Sequence, residues 1–258
     1  ISGIYTGKLE GNNHTIKNII LPETHWAGVM WGINGRVSNL KIENYVQHTK
    51  RAQNIGFFGY VYENGVIDNV HVKDVNVSAQ FENYVDYLYI GGLVSFLQTG
   101  NVINSSVSNM KVEINSEIKG LRIGGIIGFE NSSVIRNSYA QNIDFNIKKS
   151  TDAYIGGIAG HGANIYSCYA IGKINTDAIY IGGIAGDGNN IQECYSNVEI
   201  ESENNYLGGI LGFDREPNST SNITHNLALG SLYTRNNEVN IGRITANTTK
   251  DSNYANEN

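Results

Sequence analysis

One phrase recurs along this chain and constrains its fold more than any other feature: two glycines, an apolar pair and a third glycine. The clearest copies are Ile123–Gly128, Ile155–Gly160, Ile181–Gly186 and Leu207–Gly212. Weaker copies occupy residues 26–31, 54–59, 90–95 and 241–246. Successive copies are 26 to 36 residues apart, as the intervals from Gly157 to Gly183 and from Gly56 to Gly92 show. Such a period is typical of a solenoid, in which each repeat forms one coil against its neighbours.

The residues between the glycine phrases indicate strands. Apolar runs last three to six residues and are rich in Ile, Val and Tyr, and 30 glycines disfavour helices. Asn-, Asp- and Gly-rich segments such as His161–Asn164 and Asp187–Asn190 are read as turns. We therefore predict an all-β, right-handed parallel β-helix (β-solenoid) of about eight to nine coils with irregular loop insertions.

The paired glycines are predicted to mark a bend or a β-bulge in each coil. Ile155 and Ile158 are both apolar, yet a straight strand would place residues three apart on opposite faces. A bend at the glycines removes this conflict. The second glycines that we expect to be structural are Gly125, Gly157, Gly183 and Gly209.

Chain organisation is predicted to be simple. Residues 1–258 contain two prolines and no low-complexity linker, so we expect one continuous repeat domain. Because a β-helix with open ends exposes unpaired strands, we expect the natural polypeptide to continue in both directions. The extra residues of the longer coils, at Asn44–Gln53, Ser78–Tyr89 and Asn109–Arg122, are expected to form loops.

Two columns of side chains are candidates for special roles. Cys168 and Cys194 share one position of adjacent coils, where a disulfide is one reading and a ladder of small buried residues with Ser106 and Ser138 is the favoured one. An aromatic column precedes the glycine phrase, at Tyr89, Arg122, Tyr154, Tyr180 and Tyr206. We favour structural stacking for this column and keep binding of sugar rings or peptide aromatic groups as the alternative. A parallel series follows at Tyr139, Tyr169, Tyr195 and Tyr254.

Catalytic, metal-binding and cofactor-binding residues are not predicted in this chain. Its six histidines are isolated, without the paired spacing that a zinc peptidase requires, and its carboxylates form no aligned column. A net charge of −6 without a basic cluster argues against nucleic acid and against insertion into anionic membranes.

The glycine phrase, the turn after it and the pattern Ile-x-x-Cys-Tyr-Ala resemble the GLUG repeat of bacterial surface adhesins and immunoglobulin A protease-like zinc metallopeptidases. Tyr5–Asn18 resembles an opening coil of such regions, and Ile241–Ile244 with Tyr254 a closing one. The resemblance implies a non-catalytic module of a secreted or wall-attached bacterial protein, with the zinc site outside this chain. Low proline content with abundant Asn, Lys, Ile and Tyr suits a Gram-positive source. Expected partners are a host glycoprotein such as immunoglobulin A or mucin, and other domains of the same polypeptide. The alternatives are an adhesin whose solenoid binds directly and a carbohydrate-active β-helix enzyme.

Overall fold

A computed structural model describes residues 3–23, 28–51, 53–81, 85–147, 150, 152–162, 164–203, 206–215, 221–234, 240–247 and 254–255. Every regular element among these residues is a β-strand. The predicted all-β class is therefore confirmed.

The strands are short and numerous. The first half of the chain contains β1 (Ile4–Tyr5), β2 (Lys8–Glu10), β3 (Thr15–Leu21), β4 (Met30–Ile33), β5 (Arg36–Thr49), β6 (Asn54–Ile55), β7 (Phe58–Val61), β8 (Val66–Ala79), β9 (Val85–Gly91), β10 (Val94–Leu97), β11 (Asn101–Ile103), β12 (Ser106–Ile114), β13 (Ile118–Gly124), β14 (Ile127–Glu130) and β15 (Val134–Arg136). The second half contains β16 (Tyr139–Ile147), β17 (Asp152–Gly156), β18 (Ala159–His161), β19 (Asn164–Tyr166), β20 (Tyr169–Thr176), β21 (Tyr180–Gly182), β22 (Ala185–Gly188), β23 (Asn190–Gln192), β24 (Tyr195–Ser202), β25 (Tyr206–Gly208), β26 (Leu211–Asp214), β27 (Asn222–Thr224), β28 (Leu227–Ala228), β29 (Leu232–Thr234), β30 (Asn240–Gly242) and β31 (Tyr254–Ala255).

Three parallel sheets run along the solenoid. The pre-bend sheet has seven strands in the order β30-β25-β21-β17-β13-β9-β6, and the post-bend sheet has eight in the order β1-β4-β7-β10-β14-β18-β22-β26. The broad sheet has 16 strands, because most coils contribute two pieces to it. The solenoid makes about seven turns, close to the eight to nine coils predicted. The parallel β-solenoid is confirmed, and its right-handed sense stays a prediction.

Stacked apolar columns form the core. In the pre-bend sheet one column contains Ile90, Ile123, Ile155, Ile181 and Leu207, all fully buried. In the broad sheet another contains Val37, Ile67, Val102, Ile135, Ile165, Ile191 and Ile223, also fully buried. Each buried side chain packs against its equivalents one coil away, so the core is continuous along the stack.

The glycine bend lies where the sequence predicts it. Gly157 and Ile158 separate β17 from β18, and both Ile155 and Ile158 are fully buried. A Cβ atom on Gly157 would overlap the carbonyl oxygen of Gly183 and lie 2.5 Å from the Cβ of Ala170 in the broad sheet. The bend therefore brings backbone so close to the next coil and to the opposite wall that a side chain does not fit. Equivalent backbone overlaps would occur at Gly125, Gly183 and Gly209.

Asparagine-rich positions in the broad sheet adopt left-handed backbone. One column has φ between 49° and 58°, at Asn39, Asn69, Asn104, Asn137, Ser167, Glu193 and His225. A second contains Asn18, Asn44, Asp74, Asn109 and Asn142. Asparagine tolerates this conformation better than most residues. Its amides also connect coils, since Nδ2 of Asn69 donates to Oδ1 of Asn39 at 2.6 Å.

The extra residues of the longer coils mainly extend strands. The expectation of loops was wrong for Asn44–Thr49, which lies in β5, and for most of 109–122, which lies in β12 and β13. Strands β9 and β13 have seven residues, whereas β21 and β25 have three. The physical reason is that the added residues continue the inward column, burying Leu88 and Leu121 completely.

Candidate functional site

Two columns of mostly aromatic side chains flank the glycine bend, and together we call them the corner columns. The pre-bend column is the one singled out in the sequence, Tyr89, Arg122, Tyr154, Tyr180 and Tyr206, and the structure places these residues in one register. The post-bend column contains Tyr60, Phe96, Phe129, His161, Asp187 and Phe213. Sequence analysis did not identify the second column.

The third glycine of the repeated phrase brings the corner columns together. A Cβ atom on Gly160 would overlap the backbone nitrogen of Ile123, one coil earlier. Gly186 has the same relationship to Ile155. The backbones of the pre-bend and post-bend sheets therefore touch across the bend, and the rings beside this contact must pack against each other.

Ring contacts run both along and across the corner columns. Tyr154 and Tyr180 stack with centroids 4.7 Å apart, and Tyr180 also contacts Phe213 of the next coil at 4.8 Å. Tyr89 contacts Phe129 in the same crosswise manner at 5.2 Å. Such pairs contribute about 0.5–1.5 kcal/mol each beyond their buried area. The tyrosines are consequently partly buried by one another, and their expected role in ligand binding stays a prediction.

Arg122 replaces a ring in the pre-bend column. Its guanidinium carbon lies 4.0 Å from the centroid of the Tyr154 ring, a cation–π geometry. Nη1 donates to the carbonyl oxygen of Asp152 at 2.7 Å, and Nη2 donates to its carboxylate at 3.2 Å. Arg122 is 9% exposed, so it completes the stack as a buried, paired cation.

His161 and Asp187 replace two rings in the post-bend column. Nδ1 of His161 is hydrogen-bonded to the fully buried carboxylate of Asp187, and Nε of Arg215 donates to the other carboxylate oxygen at 2.6 Å. The imidazole stacks on Phe129 with centroids 4.5 Å apart. The predicted turns at His161–Asn164 and Asp187–Asn190 are wrong for their first residues, which lie in β18 and β22. The signal that identifies the pair is their separation of 26 residues, equal to the local repeat.

Burial limits the chemistry available to His161 and Asp187 and to the tyrosines beside them. Burial, reinforced by the charges of Asp187 and Asp152, raises the pKa of Tyr154 to about 12, so its hydroxyl stays protonated near neutral pH. His161 is 7% exposed, with one ring nitrogen bonded to Asp187 and one face covered by Phe129. His161 and Asp187 therefore stabilise the corner and offer little accessible surface to a substrate.

Cys168 and Cys194 are free, buried members of a ladder of small polar residues. Their sulfurs contact the carbonyl oxygens two residues earlier, both at 3.2 Å. The Ser138 hydroxyl makes the same bond at 2.9 Å. The ladder continues to Ser105, not to Ser106 as predicted, because Ser106 pairs with Tyr139. Burial raises the pKa of the Cys194 thiol, which disfavours a reactive thiolate.

The histidines and carboxylates of the described residues are scattered over the solenoid. Within the described ranges, no group of three or more His, Cys, Asp or Glu side chains is arranged to hold a metal ion. Burial lowers the pKa of His71, whose ring bonds the Ser106 hydroxyl. His25 lies outside the described residues. None of the described segments forms a helix able to span a membrane.

Comparison with known proteins identifies one repeat. A family model described as the GLUG motif matches residues 86–113. This stretch covers most of β9, then β10 and β11, and nearly all of β12, so it corresponds to about one turn of the solenoid. Searches of curated proteins and of solved structures return no significant match. The chain thus contains a GLUG motif within a β-solenoid.

Proposed function

We propose that this chain is a non-catalytic β-solenoid module of a secreted or cell-surface bacterial protein. It would separate neighbouring parts of the same polypeptide and present a recognition surface. One observation carries the proposal: side chains suited to catalysis are buried and bonded to other groups of the solenoid. His161 and Asp187 bond each other inside the corner, and the thiols of Cys168 and Cys194 bond backbone carbonyls.

The proposal extends to the parent protein. The GLUG motif at 86–113 and the resemblance of the flanking coils support an immunoglobulin A protease-like metallopeptidase whose zinc site lies in another domain. In that setting the stack of parallel strands would act as a spacer, since each coil adds about 4.8 Å along the axis. The partner would be a host glycoprotein such as immunoglobulin A or mucin.

A polysaccharide panel tests the non-catalytic assignment. The purified chain is incubated with neutral and acidic polysaccharides, and reducing ends and unsaturated products are measured over a day. We expect no product above the level of a heat-denatured sample. Product that disappears in Asp187→Asn but persists in Asp86→Asn, an exposed site with the same charge change, would replace this proposal with a carbohydrate-active enzyme.

Biolayer interferometry separates the spacer from the adhesin. Immunoglobulin A, mucin, collagen and fibronectin are presented to the isolated chain and to its Tyr154→Phe variant, which keeps the ring stack. A spacer with weak recognition gives at most weak, rapidly reversible binding. Saturable submicromolar binding to one of these proteins would favour an adhesin instead, and loss in Tyr154→Phe would place the contact on the corner columns.

A further inference from the structure

A groove lies on the exposed face of the broad sheet, away from the corner columns. It has a volume of about 340 Å³ and is bordered by strands β16, β20, β24 and β29. Its floor contains Ile174 and Ile200, whose side chains point into the core. The groove ends at Ser231, because this small residue precedes β29 at the position beside Glu199. Its volume is within the range of small-ligand sites.

Charges along one side of the groove alternate in sign. Asp144, Lys173 and Glu199 occupy one column of successive coils. Nζ of Lys173 lies 2.9 Å from the carboxylate of Glu199, and both side chains are more than half exposed. The hydrogen bond that Lys173 donates to Glu199 and the charges of Glu199 and Asp144 raise the pKa of Lys173. Glu201 also lines the groove, so three carboxylates stand against one ammonium group, and the excess negative charge disfavours acidic saccharides and other polyanions.

An aromatic ring and amides complete the groove. Tyr233 is 55% exposed, one of the most exposed large apolar side chains among the described residues. The column that ends at Tyr233 contains Asn146, Asn175 and Glu201 on the preceding coils, so Glu201 lies between Asn175 and Tyr233. Sugars present alternating hydroxyl donors and acceptors around a ring with apolar C–H faces. An exposed tyrosine beside a carboxylate, with further carboxylates, amides and an ammonium group on the preceding coils, matches that combination.

We propose that this groove binds a neutral oligosaccharide carried by a glycoprotein. One sugar ring stacks on Tyr233 beside Glu201, and the hydroxyls of the next ring bond Glu199, Lys173 and Asn175. This inference rests on the proposed function in one respect, that the module presents a recognition surface. It places that surface on the broad sheet, not on the corner columns.

Saturation-transfer NMR tests the proposal with chitotriose, N-acetyllactosamine and mannotriose as probes. The chain offers a matched control, because Tyr87 is 53% exposed and lies on the pre-bend sheet. We expect one probe to saturate in the millimolar range and to bind about tenfold more weakly to Tyr233→Ala. Tyr87→Ala should bind like the parent chain. Asn175→Ala gives a second, independent reduction without removing a ring.

Three results would overturn the assignment. The first is that no probe saturates at concentrations up to about 20 mM. The second is binding that is unchanged in Tyr233→Ala. The third is tighter binding of hexalysine that is lost in high salt and in Glu199→Gln, which would identify a polycation site. Reducing ends measured in the same samples keep the two proposals apart, because saccharide cleavage contradicts the non-catalytic function and absent binding does not.

Discussion

His161 and Asp187 are neighbours in the post-bend sheet, and the imidazole Nδ1 of one is hydrogen-bonded to the buried carboxylate of the other. They stand 26 residues apart in sequence, so the bond links two consecutive coils. Because Arg215 binds the same carboxylate, Asp187 connects three coils at the corner of the solenoid.

Replacing this carboxylate is expected to weaken the corner. Asp187→Asn removes the charge that Arg215 contacts and one acceptor at a fully buried position, so we expect a loss of about 1–3 kcal/mol in the free energy of unfolding. Urea denaturation followed by circular dichroism measures this loss. Asp86→Asn, at an exposed position, should change it by less than about 0.5 kcal/mol. Equal effects of the two variants would contradict the structural role of Asp187.

A side chain at the glycine bend is expected to be costly. In Gly157→Ala the new methyl group meets the Gly183 carbonyl and Ala170, so we expect a destabilisation of about 1–3 kcal/mol. The thermal midpoint of unfolding reports the change. Gly7→Ala is the control, because its nearest neighbour is the hydroxyl end of the flexible Tyr5 side chain. A thermal midpoint for Gly157→Ala equal to that of the parent chain would mean that Gly157 lies farther from the next coil than described.

The left-handed asparagines predict a substitution rule. Asn137 has φ of 51°, so Asn137→Ala should lose about 1–2 kcal/mol, whereas Asn137→Gly should retain most of the stability. Chemical denaturation of both variants tests the ordering. Asn197→Ala, at an exposed position without left-handed backbone, controls for loss of the amide itself. Equal stabilities of Asn137→Ala and Asn137→Gly would contradict the role assigned to the left-handed backbone at this position.

The two thiols are expected to be protected but free. Ellman's reagent should react with Cys168 and Cys194 only after unfolding, and intact mass should show two thiols. The double replacement Cys168→Ser/Cys194→Ser should keep stability within about 1 kcal/mol, since Ser138 makes the same bond to a carbonyl. Absence of thiols in the unfolded, unreduced protein would instead demonstrate a disulfide.

Alkaline pH should destabilise the corner columns. Burial raises the pKa of Tyr154 from 10.0 to about 12, so the folded state retains a proton that the unfolded state releases earlier. The contribution is complete below pH 10 and is lost as the pH rises from 10 towards 12. Urea midpoints at pH 8, 10 and 11 should fall more steeply for the parent chain than for Tyr154→Phe. Tyr87→Phe, at an exposed ring, is the matched control.

Columns of identical residues were predictable because the repeat length is constant where they occur. Tyr154 and Tyr180 are separated by 26 residues, and so are Cys168 and Cys194, and each pair occupies one register position. The alignment failed by one residue at Ser106. There the sequence offers two adjacent serines, and a one-residue shift in a strand exchanges the faces, so composition alone could not choose.

Neither the His161–Asp187 pair nor the groove could be predicted from the repeat pattern, because both depend on contacts that this pattern does not display. His161 and Asp187 stand in segments that contain glycine and asparagine, so the sequence indicated turns there. The groove exists because Ser231 breaks a column of long charged side chains and leaves Tyr233 exposed. Such departures from the repeat are confined to one or two coils, so the features that all the coils share do not reveal them.

The contact between each bend glycine and the adjacent coil has an evolutionary consequence. Since Gly157 meets Gly183 as Gly183 meets Gly209, each unit is complementary to its own successor. Gene duplication or loss of one whole unit therefore leaves compatible surfaces at the new junction, whereas a partial insertion misaligns every column it enters. The length of such a solenoid can therefore change during evolution by one coil at a time, without any new packing arrangement.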